Sequence, residues 1–308
     1  MRRINFIIST GHRNWVLHHL ATTLSIYFKG SNCKIVEFPQ TRKHLRKIEG
    51  YLWLKKAKNN FYLHQDLALA GFQKGWFKKA QRNFVNYTHD NKELKQYLEV
   101  FKLTNFIIVQ NSSTKQSLLN YEIPIDKILV LPNPIDFEKF KFSNLNKERD
   151  IIFVSNFYYR KQPDLILSVI KSNPNLTFTI YGKGWESYSR FNELRACKNL
   201  IYSQFEYENY SNVLARHKIF CSLSSVEGGP VPLLESLSVG LIPIATDTGT
   251  ARDIIPFRYH DLIIPIDSTY VDVNMAIKKA MSFEPVRLEL DDKYSYEGFC
   301  KEIEKIIL

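Results

Sequence analysis

Two carboxylates separated by a short glycine-containing loop form the clearest chemical pattern in this sequence. Glu227 is followed by Gly228, Gly229 and Pro230, and Glu235 comes eight positions after Glu227. The stretch around Glu235 is typical of a helix, and the N–H groups and dipole at a helix N-terminus attract phosphate. Glycines let a ligand approach the backbone closely. An ionised carboxylate only accepts hydrogen bonds, so sugar hydroxyls are its natural partners beside a phosphate. The alternative is a loop and a helix with two solvated Glu side chains.

The residues after this loop indicate how it is held. Pro232 suits the first turn of a helix, where its missing N–H costs nothing, and Gly240 suits the C-terminal end. The apolar run 241–245 is then typical of a buried strand. A strand–loop–helix–strand unit of this kind would place both carboxylates at the carboxyl edge of a sheet.

Short apolar runs alternate with helical patterns along the whole chain, which predicts parallel sheets with helices on both faces. The predicted strands are residues 4–8, 34–38, 61–64, 84–88, 106–109, 128–131, 151–155, 176–181, 199–202, 219–223, 241–245 and 262–264. The predicted helices are residues 15–28, 92–101, 114–120, 164–171, 207–215, 232–239, 271–282 and 295–307.

A proline-containing connector divides the chain. Pro132 and Pro134 favour an extended segment, and a polar run follows at 141–150. We therefore predict an N-terminal domain at 1–135 and a C-terminal domain at 136–290, both Rossmann-like. Residues 291–308 would close the chain as a helix that can pack back toward the N-terminal domain. Two such domains would face each other across a cleft, with ligands at the carboxyl ends of the strands.

Composition limits the class of protein. The chain has 308 residues, a length typical of two domains, and 44% hydrophobic residues, enough for ordinary cores. No apolar run approaches the ~18 residues of a spanning helix, and the N-terminal run is too short for a signal peptide. The four cysteines lack metal-type spacing, so we expect a reducing, cytoplasmic setting.

The charge is unevenly distributed. The net charge is +11, and residues 1–140 hold 22 Lys and Arg against 10 Asp and Glu. That excess predicts an anionic partner for the first half: membrane lipid, an anionic glycan or nucleic acid. Basic residues mix with aromatic ones at 42–58 and 74–82, which favours peripheral contact with an anionic membrane surface. The alternative is a solvated face whose aromatics belong to the core.

Several motifs occur in an order that resembles the glycosyltransferase family 4 group of retaining enzymes, which have the GT-B fold. The similarity covers roughly residues 60–260. The motifs are the connector 131–136 with Phe140, the strand 151–155 followed by Lys161, the turn 181–184, the segment from Glu227 to Glu235, the continuation 241–252 and the segment 87–90.

This resemblance implies a role for each motif residue. Glu235 would hold the ribose hydroxyls of a nucleotide-sugar, and Glu227 would contact the donor sugar near the reacting centre. Lys161 would neutralise the diphosphate leaving group, and His89 would reach the sugar or the acceptor from the N-terminal domain. The catalytic residues implied are thus Glu227, His89 and Lys161. The donor-binding residues implied are Glu235, Gly228, Gly229, Pro230, Arg160, Asn156, Gly182 and Gly11.

Three positions depart from the family pattern. In the interdomain segment, Pro132 is followed by Asn133 and a second proline, Pro134. The phosphate-binding Arg after the first strand of the second domain is Asn156 here, so Arg160 or Lys161 would supply that charge. The glycine-rich loop after the first strand of the chain is reduced to Gly11.

The function implied is metal-independent, retaining transfer of a hexosyl unit from a nucleotide-sugar to a glycan or glycolipid acceptor. Surface polysaccharide or lipopolysaccharide assembly on the inner face of a membrane is the expected setting. We expect no metal and no cofactor, because the sequence contains no His-Glu-x-x-His, no cysteine pair and no strand-borne Asp-x-Asp. A GT-B nucleotide-sugar epimerase is the first alternative. A basic nucleic-acid-binding protein is the second, but it would leave the Glu227 loop unexplained.

Overall fold

The computed structural model describes residues 3–9, 16–38, 57–77, 81–88, 94–143, 147–204 and 206–307. The chain divides into two compact units, one formed by Met1–Pro134 with Asp292–Leu308 and the other by Ile135–Asp291. Each unit contains a six-stranded sheet whose strand pairs are all parallel. The alternating pattern of the sequence therefore predicted the α/β class correctly.

The first unit has the strand order β2-β1-β3-β4-β5-β6. Its strands are β1 (Arg3–Ser9), β2 (Asn32–Phe38), β3 (Asn59–Tyr62), β4 (Arg82–Tyr87), β5 (Phe106–Val109) and β6 (Ile128–Val130). Its helices are α1 (Val16–Tyr27), α2 (Gln65–Gln73), α3 (Leu98–Leu103), α4 (Ser112–Asn120) and, from the end of the chain, α11 (Tyr296–Ile307).

Two apolar clusters cover the two faces of this sheet. One joins Phe6 and Phe61 to residues of α1 and α11, and the other joins Ile7 and Tyr62 to residues of α2, α3 and α4. Since neighbouring residues of a strand point to opposite faces, one strand serves both clusters. Arg82 donates to the last carbonyls of α11, at 2.6 and 2.7 Å, which also complements the negative end of the helix dipole. The C-terminal helix is thereby part of the first unit.

The second unit has the strand order β12-β11-β10-β7-β8-β9. Its strands are β7 (Arg149–Val154), β8 (Phe178–Tyr181), β9 (Leu200–Ser203), β10 (His217–Ser222), β11 (Ile242–Thr246) and β12 (Ile263–Ile264). Its helices are α5 (Pro163–Ser172), α6 (Phe191–Arg195), α7 (Tyr210–Ala215), α8 (Val231–Val239), α9 (Ala251–Ile254) and α10 (Tyr270–Met281).

The strand order of the second unit reverses between β7 and β10. The chain runs outward from β7 through β8 to β9, returns to β10 on the other side of β7, and continues to β12. The loops after β7 and β10 begin at this reversal, which is where open parallel sheets bind ligands.

The structure differs from the sequence prediction in a few elements. Helix α2 was not predicted, because Leu67 and Leu69 alternate and Gly71 interrupts the helical spacing. His64, predicted to end a strand, instead caps α2, with its Nδ1 accepting a hydrogen bond from the Asp66 amide at 3.2 Å. In the part of the chain that the structure describes, no helix is both long and apolar enough to cross a membrane.

Candidate functional site

Glu227 lies in the loop after β10, and two cations from the loop after β7 bind its carboxylate. Arg160 approaches one carboxylate oxygen at 2.9 Å, and the Lys161 ammonium donates to the other. The side chains of Glu227 and Lys161 are 9% and 14% exposed, whereas that of Arg160 is 43% exposed. The alternative interpretation of Glu227 as a solvated loop residue is therefore wrong.

Backbone contacts explain why the two loops meet. The Ser225 amide donates to the Arg160 carbonyl at 2.8 Å, and the Arg160 guanidinium donates to the Val226 carbonyl at 2.9 Å. Gln162 adopts a left-handed conformation just before Pro163 starts α5, so the β7 loop turns back on itself. The two cations are thus held by folded backbone rather than by the ion pair alone.

A third loop supports Glu227 from the carboxyl end of β11. Gly249 has a φ of +56°, and a Cβ at this position would lie 2.7 Å from the Gly228 carbonyl oxygen and 3.0 Å from the Glu227 Cβ. Only glycine fits this approach without strain. The sequence contains a signal for this turn, Thr-Asp-Thr-Gly-Thr after a strand, but Gly249 was not predicted as a site residue.

The charges of this group are set by the balance between burial and ion pairing. Burial would raise the pKa of Glu227, but Lys161 and Arg160 outweigh it and hold that pKa below its ordinary value. The Ser224 hydroxyl also bonds the carboxylate and lowers the pKa further. Glu227 is therefore an anion at neutral pH, surrounded by three donors.

Glu235 has a different environment. It lies on α8 and is 5% exposed, so the alternative of a solvated helix residue is wrong here too. Burial raises its pKa to about 8, and the neighbouring Tyr210 hydroxyl and Lys139 ammonium only partly oppose this. In this structure Glu235 is thus mostly protonated near pH 7, not the ionised acceptor that the sequence suggested. A protonated carboxyl group can both donate to and accept from a hydroxyl.

The first residues of the second unit bring Lys139 to this region. Phe140 packs edge-to-face on Tyr210 with ring centroids 5.4 Å apart, and its carbonyl accepts from the Ser238 hydroxyl of α8 at 2.6 Å. The Lys139 ammonium lies 3.4 Å from the ring centre of Tyr207. Lys139, Tyr207 and Tyr210 were not predicted as site residues, since nothing in their local sequence places them beside Glu235.

The helix that carries Glu235 has the termini that the sequence predicted. Pro232 lies in its first turn and Gly240 ends it at a φ of +94°. Its N-cap is Pro230, and no side chain of the described residues caps it. Gly228 and Gly229 therefore join the Glu227 carboxylate to a helix N-terminus with uncapped N–H groups, the arrangement that favours anions.

Asn156 and Gly182 lie together after β7 and β8. The Asn156 side-chain oxygen accepts from the Lys183 amide at 3.0 Å, and Trp185 donates to the Ser155 carbonyl at 2.8 Å. A Cβ on Gly182 would collide with that same carbonyl. Both residues thus shape the backbone of this edge.

Other predicted residues fall outside this group. His89 and Gly11 lie outside the described residues, as do residues 42–56 and 78–80 of the basic and aromatic segment. Of that segment, Trp76 stacks on Phe38 at 4.9 Å and Phe77 stacks on Tyr62 at 5.1 Å, so these two aromatics pack against the core. Within the described ranges, no group of three or more His, Cys, Asp or Glu residues could hold a metal ion.

The chain is similar to proteins of known families. Residues 135–298 match the family model described as "Glycosyl transferases group 1". One phosphatidylinositol N-acetylglucosaminyltransferase subunit, from Arabidopsis thaliana, is 26% identical over 238 residues, which are 71% of this chain and 52% of that protein. The chain spans about half the length of the curated relatives it matches.

Solved structures share the fold. A lipopolysaccharide outer core galactosyltransferase superposes with a TM-score of 0.70 at 17% identity, over 99% of both chains. The Anabaena protein HepE in complex with UDP superposes with a TM-score of 0.68 at 11% identity, again over 99% of both. At such low identity these likenesses establish the fold, which is the predicted GT-B class.

The family model covers more than half of the chain and includes the Glu227 loop, helix α8 and both strands at the reversal of the sheet. This chain therefore belongs to the glycosyl transferases group 1 family.

Proposed function

We propose that the chain is a retaining glycosyltransferase that moves a hexosyl unit from a nucleotide-sugar to a glycan or glycolipid acceptor. The observation that carries the proposal is the buried Glu227 carboxylate with Lys161 and Arg160, beside the uncapped start of α8. The two cations and the helix N-terminus would bind a diphosphate, and Glu235 would bind the ribose hydroxyls. Glu227 would contact the sugar.

The chemistry follows from where charge develops. As the bond between the sugar and the diphosphate breaks, negative charge grows on the diphosphate, and cations already fixed in place lower that barrier. Lys161 and Arg160 would supply this charge without a metal ion. The Glu227 carboxylate would stabilise positive charge on the sugar ring, as carboxylates do at oxocarbenium-like transition states. The acceptor hydroxyl would attack from the face that the diphosphate leaves and would give its proton to a departing phosphate oxygen, which retains the anomeric configuration.

Names of related proteins support the substrate class. One relative is named as a phosphatidylinositol N-acetylglucosaminyltransferase, and one structural neighbour was solved with UDP. We propose a nucleoside diphosphate sugar as donor and a lipid-linked or surface glycan as acceptor, with lipopolysaccharide assembly as one setting. The basic first half would hold the protein at an anionic membrane surface.

The test is product analysis with a panel of nucleotide-sugars and glycolipid acceptors. A new glycosidic linkage with the anomeric configuration of the donor, read by NMR, is expected. An inverted linkage contradicts retention. Consumption of donor to a new nucleotide-sugar without any acceptor would instead identify an epimerase.

A further inference from the structure

Glu227 occupies the two cations that a donor diphosphate would need. Its carboxylate forms ion pairs with Lys161 and Arg160 and accepts a hydrogen bond from the Ser224 hydroxyl. The Glu227 side chain is only 9% exposed. The proposed diphosphate-binding site therefore already contains an anion of the protein itself, the Glu227 carboxylate, bound to both cations.

A diphosphate and this carboxylate compete for the same donors. A diphosphate that binds Lys161 and Arg160 draws their N–H groups away from Glu227. A buried carboxylate that loses its hydrogen-bond donors without replacement raises the free energy of the complex, because little water is present to solvate it. The affinity for a ligand at this site therefore depends on whether the ligand supplies hydrogen-bond donors that replace Lys161 and Arg160 at Glu227.

We propose that Glu227 makes the site discriminate an intact nucleoside diphosphate sugar from a free nucleoside diphosphate. The sugar of an intact donor brings hydroxyl groups that can donate to Glu227 when its cations are taken. A free nucleoside diphosphate brings none beside the carboxylate. This inference rests on the proposed function, since it assumes that Lys161 and Arg160 bind the donor diphosphate.

The same competition favours product release. Once the sugar has left, Glu227 has lost its hydroxyl partners and regains Lys161 and Arg160 only if the diphosphate departs. The internal anion thus weakens the binding of the product more than that of the substrate, without any change of fold.

The test is the binding of UDP and GDP, by titration calorimetry, to the wild-type chain and to Glu227→Gln. Glutamine has the shape of glutamate but no charge, so the cations become available. We expect the variant to bind its preferred nucleoside diphosphate about 10- to 100-fold more tightly, the range for one charge-assisted hydrogen bond. Affinity for the matching nucleotide-sugar should stay unchanged or fall.

Glu193→Gln is the matched control. Glu193 also binds two cations of the same unit, Arg190 and Lys171, but its side chain is 45% exposed and belongs to a surface network. This variant should leave both affinities unchanged. Glu227→Asp, which keeps the charge but shortens its reach, should give an intermediate gain and provides a milder change if the glutamine variant folds poorly.

Two results overturn the inference in distinguishable ways. If Lys161→Ala abolishes binding of the nucleoside diphosphate but Glu227→Gln leaves it equal or weaker, the competition is refuted and the proposed function stands. If the wild-type chain and Lys161→Ala both fail to bind any nucleoside diphosphate or nucleotide-sugar, the proposed function fails and the inference fails with it.

Discussion

Replacing Lys161 with alanine tests the three-residue ion group of Lys161, Arg160 and Glu227, through both stability and turnover. Lys161 and Glu227 are both largely buried, and removing one partner of such a pair usually costs about 3–5 kcal/mol. Arg160 remains 2.9 Å from the carboxylate, so Glu227 keeps one cation. We therefore expect a smaller loss, about 2 kcal/mol, in the free energy of unfolding measured with urea.

The same variant should impair turnover far more than stability. A fixed charge that stabilises a leaving group is worth about 10²- to 10³-fold in kcat. Lys171→Ala is the control, because Lys171 pairs with Glu193 at 2.7 Å on the surface, where such pairs contribute about 0–1 kcal/mol. If the two lysine variants lose stability and kcat to the same extent, the assignment of Lys161 is refuted.

Three further predictions concern other parts of the second unit. Gly249→Ala should lower both the melting temperature and the activity, because the added Cβ meets the Glu227 loop and strains the backbone by about 1–3 kcal/mol. Gly30→Ala is the control, since a Cβ at Gly30 has open space and should change neither. Burial lowers the pKa of His217 to about 4, so the unfolded chain takes up a proton first. Stability should fall by about 3 kcal/mol as the pH drops from 6.5 to 4, and His217→Gln should flatten this loss in urea titrations. Glu235 has a raised pKa of about 8, so the folded chain keeps its proton longer. Stability should therefore decline as the pH rises from 4.5 to 8, less so in Glu235→Gln; equal slopes for both chains would contradict the buried position of Glu235.

The sequence predicted most of the fold because buried parallel strands are short apolar runs between turn signals. Every strand of both sheets overlaps a predicted run, with bounds that shift by a few residues at most. Helices α2, α6 and α9 were missed for local reasons. Helix α6 spans only Phe191–Arg195, so it is as difficult to recognise from its spacing as α9. Leu67 and Leu69 in α2 alternate like strand residues, and α9 spans only Ala251–Ile254, too short for a helical period.

The site was predictable as a set of loops but not as a set of contacts. The position of Glu227 and Lys161 after strands placed both at one edge of a sheet. The ion pair between them joins residues 66 positions apart and depends on backbone bonds at Ser225 and Val226 that no local pattern encodes. The raised pKa of Glu235 could not be predicted either, because it follows from burial by residues distant in sequence.

The most direct measurement is a crystal structure of the chain with the nucleoside diphosphate that raises its melting temperature most. We predict phosphate oxygens within hydrogen-bond distance of Lys161 and Arg160, the ribose hydroxyls on Glu235, and the Glu227 carboxylate detached from at least one cation. A diphosphate bound elsewhere, with the three-residue ion group unchanged, would contradict it.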